Sequence, residues 1–284
     1  MNFTKLQGAG NDFVLVAASA PDSDWPRRAV KICDRHFGAG ADGLLVLLPS
    51  KRANFRMRMF NPDGSESEAC GNGLRCLVRY IIDRGLAESG AREISVETVA
   101  GIRKARVHRA AGQPAKIQVG MGEPKLEAED IPITVERKDL VSLKPLLSAN
   151  ISVAGRELLL HFVAMGNPHA VYFGQHPVAE FPLSQLGPEV EWHSMFPNRA
   201  NFEVARVINR RQIEVRVWER GAGETLACGT GACAVAVAAQ LLGYADKEVD
   251  IKLPGGTLAV EWGRGGEVLL GGPAEIVFSG EWPE

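Results

Sequence analysis

The chain repeats itself. At an offset of 158 residues, Glu66-Ser67-Glu68-Ala69-Cys70-Gly71-Asn72-Gly73 aligns without gaps on Glu224-Thr225-Leu226-Ala227-Cys228-Gly229-Thr230-Gly231, and five of the eight positions are identical. The same offset lays Arg58-Met59-Phe60 on Arg216-Val217-Trp218 and Gly85 on Gly243. Ala9-Gly10-Asn11 finds a counterpart in Met165-Gly166-Asn167, with a drift of two residues. A fixed long period marks duplicated units. Two copies in 284 residues predict two similar domains facing each other, each large enough for its own core, rather than a solenoid.

Each copy reads alike. Asn54 to Phe60 and Gln212 to Trp218 alternate with period two, as strands do. A loop follows, with Asn61-Pro62-Asp63-Gly64 in one copy and Glu219-Arg220-Gly221-Ala222-Gly223 in the other. Next comes a helix of three to four turns, closed by Gly85 or Gly243 as a C′ glycine. Glu93 to Glu97 and Glu248 to Leu253 read as further strands. The second helix, Ala232 to Ala239, has almost no polar face, so other elements must surround it. The expected fold is α+β: two pseudo-symmetric domains, each a mixed, barrel-like β-sheet wrapped around a central helix. The expected limits are 1–128 and 129–274, with the strand 275–284 returning to complete the first half. Lys125 to Lys138, rich in Glu, Pro and Asp, reads as the crossing between halves.

Composition removes several function classes. A net charge of −2 gives no electrostatic case for nucleic acid or an anionic membrane. The first residues lack a basic segment followed by an apolar one, so no secretory signal is expected. The longest strongly apolar stretch, Ala232 to Leu242, is too short to span a bilayer. Five cysteines do not make a disulfide framework, which suits a reducing, cytoplasmic setting.

In both copies a cysteine precedes Gly-x-Gly at the start of a helix. The first turn of a helix carries unpaired N–H groups and about half a positive charge. A thiol placed there is biased towards thiolate, and the glycines let the backbone approach an anion. Two such sites across a cleft suit inversion of an α-amino acid: one thiolate removes the α-proton and the opposite thiol delivers another. Cys33, Cys76 and Cys233 have no counterpart in the repeat, and Cys76 and Cys233 read as core.

The combined motifs resemble those of the diaminopimelate epimerases: Gly8-Ala9-Gly10-Asn11-Asp12-Phe13, Asn61-Pro62-Asp63-Gly64-Ser65, Ala69 to Cys76, Gly166-Asn167-Pro168-His169, and Glu219 to Ala232, in order over nearly the whole chain. The resemblance implies a two-thiol enzyme without pyridoxal phosphate or any other cofactor. Its substrate would be a small diamino diacid, LL- or meso-diaminopimelate, on the route to lysine and peptidoglycan. Cys70 and Cys228 would be base and acid, exchanging roles with direction. Asn11 and the N–H groups of Gly71, Asn72, Gly229 and Thr230 would hold the reacting end. Asn61, Asn167, Asn201, Glu219 and Arg220 would hold the distal end, and His169 would support the thiols. Gly43 stands where many members carry Gln, which removes one polar contact. A homodimer is an expectation of family analogy alone.

Other patterns fall away. Gly38-x-Gly40-x-x-Gly43 precedes a strand-like Leu44 to Leu48 rather than a helix, so it is no dinucleotide fingerprint. The cysteine and histidine spacings match no metal site. Proline racemases share the paired-thiol logic, but Glu219-Arg220 suits a substrate with a second polar end. A binding module without catalysis is disfavoured by two intact cysteines.

Overall fold

The computed structural model describes residues 1–20, 24–67, 70–109, 115–136, 138–142 and 144–283; Ala69 of the repeat lies outside them. The chain divides into a unit of residues 1–120 with 271–284, and a unit of residues 121–270. This division by compactness lies a few residues before Lys125–Lys138. The Lys125 N–H and C=O both pair with Ala164, so this Pro- and Glu-rich stretch begins as part of the second unit.

In the first unit, Glu275–Glu281 pairs with Asn2–Gly8, which pairs with Asn11–Ala17, both antiparallel. Asn11–Ala17 then runs parallel to Gly43–Leu48, which pairs with Phe55–Phe60. Phe55–Phe60 is parallel to Glu93–Thr98, and Gly101–His108 and Lys116–Gly120 follow as a meander. The second unit repeats this order. Ser148–Val153, Arg156–Ala164 and Pro168–Phe173 are antiparallel, and Asn201–Asn209 joins in parallel. Gln212–Glu219 follows, then the parallel Glu248–Leu253 and antiparallel Gly256–Glu261. Each unit therefore holds a mixed sheet, as the alternating patterns predict.

The helices are α1 (Trp25–Cys33), α2 (Gly71–Asp83), α3 (Leu183–Glu191) and α4 (Gly229–Leu241). α1 and α3, like α2 and α4, are related by the 158-residue offset. α2 touches strands at both ends of its sheet, Glu275–Glu281 and Lys116–Gly120. α4 is buried without a break from Gly231 to Gln240, against Arg156–Ala164, Pro168–Phe173, Asn201–Asn209 and the last two strands of its meander. Its apolar circumference requires that enclosure. Both central helices stop in the same way. Gly85 and Gly243 take φ of +64° and +79°, and their N–H groups bond to Ile82 and Gln240. The next N–H groups, of Leu86 and Tyr244, reach back to Ile81 and Ala239, closing a Schellman motif in each copy.

The two-residue drift has a location. Phe13 and Leu15 lie opposite Gly43 and Leu45, whereas His169 and Val171 lie opposite Asn201 and Glu203. The second strand of each parallel pair follows the 158-residue offset and the first follows 156. The two extra residues of the second unit therefore fall between that first strand and α3. By register, Asn11 corresponds to Asn167, Phe13 to His169, and Leu45 to Glu203.

Part of the repeat is structural. Arg58 grips Glu66 with Nε–Oε1 and Nη2–Oε2 distances of 2.7 and 2.8 Å. Arg216 grips Glu224 with distances of 2.8 and 3.0 Å. These bidentate forks clamp each strand to the short return strand before the cysteine. The repeated Arg and Glu are thereby accounted for, leaving Cys-Gly-x-Gly as the chemical part.

Candidate active site

Each repeated cysteine is the N-cap of its central helix. Cys70 and Cys228 have extended backbones, and their sulfurs accept the N–H of Gly73 and Gly231 at 3.4 Å. A thiol here does what Ser or Thr usually does, satisfying one of the orphan N–H groups of the first turn. The expected thiol at a helix start is present in both units.

In the first unit a chain of donors fixes the amides beside Cys70. Arg75 Nη2 donates to Asn72 Oδ1 at 2.6 Å, Asn72 Nδ2 to Asn11 Oδ1 at 3.3 Å, and Asn11 Nδ2 to Asp42 Oδ2 at 2.8 Å. Cys70 Sγ lies 4.0 Å from Asn11 Oδ1. Arg35 donates to both Asp12 and Asp42 at 2.7 Å, and Lys5 contacts Asp12 and the Gly40 carbonyl. Burial works to raise the Asp12 carboxyl, but the Arg35 and Lys5 hydrogen bonds win and hold it at about 2. Asn61 has a different local role: its N–H bonds to Ser65 O, and its Nδ2 donates to Ser65 Oγ at 2.9 Å, inside its own turn.

In the second unit Cys228 Sγ lies 3.4 Å from Thr230 Oγ1. His169 Nδ1 meets Glu203 Oε1 at 2.7 Å and Nε2 meets Asn167 Oδ1 at 2.9 Å. Asn201 ties two segments, donating to Pro168 O at 2.9 Å and accepting the Arg220 N–H at 3.0 Å. Arg220 Nη1 donates to Asn198 O at 3.1 Å. Glu219 accepts from Thr225 Oγ1 at 2.5 Å and hydrogen-bonds with Cys228. The loop carrying Glu219 and Arg220 is pinned from α3, where buried Glu191 accepts from Trp218 Nε1 at 2.8 Å and from Gly221 N–H at 2.9 Å.

Burial decides the state of the second thiol. Cys228 is pushed well above the ordinary thiol value by desolvation first, and then by the Glu219 and Glu203 carboxylates. The Thr230 hydroxyl and Gly231 N–H oppose this without overcoming it. The bias towards thiolate expected at a helix start is therefore reversed at Cys228: two nearby carboxylates and a dry setting outweigh one turn of N–H groups. Burial also raises Glu219, against the hydrogen bonds from Thr225 and Cys228. One expected result is that Cys70, half-buried, is alkylated by iodoacetamide before the buried Cys228. Cys228 modification should still be accelerating above pH 9, its ordinary thiol value. Peptide mapping after partial reaction reads both; equal rates at neutral pH would contradict this.

The remaining cysteines are core. Cys33, Cys76 and Cys233 are buried, and burial pushes the Cys33 and Cys76 thiols up to about 12. Asp42, Arg75, Glu191 and Glu203 were not among the residues expected from sequence. Glu203 had a visible signal, since the 158-residue offset lays it on Leu45, and it stands between Phe202 and Val204.

The fold is built from two similar units, each with a cysteine capping its central helix. Among solved structures, a hydroxyproline epimerase from Agrobacterium vitis superposes with a TM-score of 0.69 at 15% identity, over 99% of this chain and 91% of that one. A PhzF-family phenazine biosynthesis protein from Bacillus anthracis does so with a TM-score of 0.69 at 18% identity, covering 100% and 99%. At these identities the likeness is one of fold. Sequence carries the assignment further. The family model for diaminopimelate epimerase matches residues 3–127 and 161–277. The chain is 48% identical to the diaminopimelate epimerase of Moorella thermoacetica, over 100% of this chain and 99% of the relative. It is 46% identical to that of Acetivibrio thermocellus, covering 99% and 98%. The chain belongs to the diaminopimelate epimerase family.

Proposed function

We propose that the chain interconverts LL- and meso-diaminopimelate without pyridoxal phosphate, with Cys70 and Cys228 as its acid–base pair. The observation that carries this reading is the matched pair of cysteine N-caps, one per unit, in a chain of this family.

Inversion needs a base on one face of the α-carbon and an acid on the other. A thiolate takes the α-proton, the C–H electron pair passes into the substrate carboxylate, and the second thiol gives its proton to the opposite face. The reverse reaction exchanges the roles. The first-turn N–H groups of Gly71, Asn72, Gly229 and Thr230, with Asn11, hold the reacting carboxylate and stabilise the charge that grows on it. A Cys228 held as thiol is the acid of the resting pair. The distal end falls to Asn61, Asn167, Asn201, Glu219 and Arg220, where the Arg220 guanidinium suits a carboxylate. His169 supports the Cys228 side. A cytoplasmic location and a homodimer complete the reading as family expectations; fractionation and sedimentation read them.

The test is incubation of the purified protein with LL-diaminopimelate in D₂O, without added pyridoxal phosphate or metal. Deuterium at the α-carbon together with the meso isomer is the expected result. The fold likeness to a hydroxyproline epimerase favours one second reading, a proline-type racemase. Exchange with proline or hydroxyproline and none with diaminopimelate would replace the first reading by the second.

A further inference from the structure

The two central helices start against different neighbours. A Cβ on Gly73 would stand 3.0 Å from Leu45 Cδ2, whereas a Cβ on Gly231 would stand 2.7 Å from Glu203 Oε1 and 3.4 Å from Cys228 Sγ. Carboxylate and thiol therefore share the space that Gly231 leaves open. Leu45 and Glu203 correspond by register, as do Phe13 and His169, and all four are fully buried. One unit closes this part of its core with Phe and Leu. The other uses a His–Glu pair 2.7 Å apart, and Glu203 Oε2 is buried with no hydrogen-bond partner among the described residues. Desolvating such a pair is costly, and apolar replacements of similar volume are commonly neutral or stabilising. The first unit shows that these positions accept an apolar pair. Packing alone therefore does not explain the second.

The geometry points to Glu203 as a positioning residue for the epimerisation proposed above, on which this inference rests. Its carboxylate holds His169 through Nδ1, aiming Nε2 at Asn167, and sets a negative charge beside the Cys228 thiol where the first unit has Leu45. A carboxylate on Nδ1 fixes the tautomer and the orientation of a histidine ring. Two carboxylates face Cys228, Glu219 from Gln212–Glu219 and Glu203 from Asn201–Asn209; His169, from Pro168–Phe173, meets Glu203, and Thr230 comes from the helix that Cys228 caps. Without the Glu203 charge, the thiol keeps one carboxylate neighbour instead of two and releases its proton more readily. The pair thus makes the two half-sites chemically unequal.

The test compares wild type with Glu203→Gln, Glu203→Asp and the double variant His169→Phe/Glu203→Leu, using diaminopimelate in D₂O from neutral to alkaline pH. Glu203→Gln is expected to lower kcat about tenfold or more, through a misplaced ring, with little change in KM. The alkaline limb of its kcat profile should move to lower pH by about one unit. Glu203→Asp, which keeps the charge, should return that limb towards wild type. The double variant His169→Phe/Glu203→Leu, which copies the Phe13–Leu45 pair and leaves no lone polar partner, should melt no lower than wild type while sharing the kcat loss. Unchanged kcat and limb in Glu203→Gln, or activity lost only in step with melting temperature, would overturn the proposal. If wild type itself does not epimerise diaminopimelate, the functional reading fails separately. Cys228 alkylation then tests Glu203, and should be faster in Glu203→Gln than in wild type at equal pH; equal rates would overturn it.

Discussion

Alanine at Cys70 or at Cys228 is expected to lower epimerisation of diaminopimelate by about 10³-fold, the usual worth of a positioned acid or base. Both substitutions are small. Cys70 is half-buried, and Cys228 would lose one sulfur and a weak cap to the Gly231 N–H. Melting temperature should therefore move little compared with the rate. The two variants should differ in a second measurement. With one thiol left, one stereoisomer keeps a base on the correct face, so its α-proton should still exchange with D₂O, without inversion. Cys70→Ala and Cys228→Ala should retain exchange for opposite stereoisomers. Either variant epimerising at the wild-type rate would remove the two-thiol mechanism.

The second large effect is expected at Gly38, far in sequence from both repeated cysteines. An added Cβ would stand 2.4 Å from Lys31 O, 2.6 Å from Ile32 O and 2.7 Å from Asp34 O. All three are backbone carbonyls at the end of α1, and the loop's own N–H groups already bond there. Gly38 donates to Asp34 at 2.9 Å, Gly40 to Ile32 at 3.0 Å and Ala41 to Cys33 at 3.0 Å. Nothing flexible can yield, so Gly38→Ala should cost about 3 kcal/mol. In a domain of this size that lowers the melting temperature by roughly 6–12 °C. The loop also carries Arg35 and Asp42, and Asp42 holds the Asn11 amide. Epimerisation should therefore fall by about 10²-fold as Asn11 loses its orientation. Gly265→Ala, where an added Cβ meets nothing within 4 Å, is the control and should leave both measurements unchanged.

What could be read from sequence was what is local. The cysteines at helix starts, the C′ glycines and the alternating strands depend on a few neighbouring residues, so pattern alone located them. Lys125 to Lys138 has the composition of a linker, while the backbone pairing of Lys125 with Ala164 ties its start to the second unit. Composition records exposure, not partnership. The site residues show the same divide. Asn11 was legible from its motif, but Asp42 and Arg75, which orient Asn11 and Asn72, are set by contacts the motif does not contain. Glu203 lies 34 residues from its partner His169. Register between parallel strands, not spacing along the chain, brings that pair together. The state of Cys228 was beyond reach for a related reason: a helix start argues for thiolate, and only the packed surroundings reveal how dry the sulfur is.

The pairing of Asn2–Gly8 with Glu275–Glu281 carries a consequence for how the protein is made. In the second unit the matching outer strand, Ser148–Val153, precedes its neighbour in the chain by a short turn. In the first unit it is supplied some 270 residues later. On the ribosome, the half made first cannot complete its sheet until the last strand has emerged, whereas residues 121–270 can pair all their own strands before then. The order of synthesis and the order of completion are opposed. The Asn2–Gly8 strand meanwhile keeps one edge open throughout translation, the kind of exposed pairing template that chaperones and neighbouring nascent chains recognise.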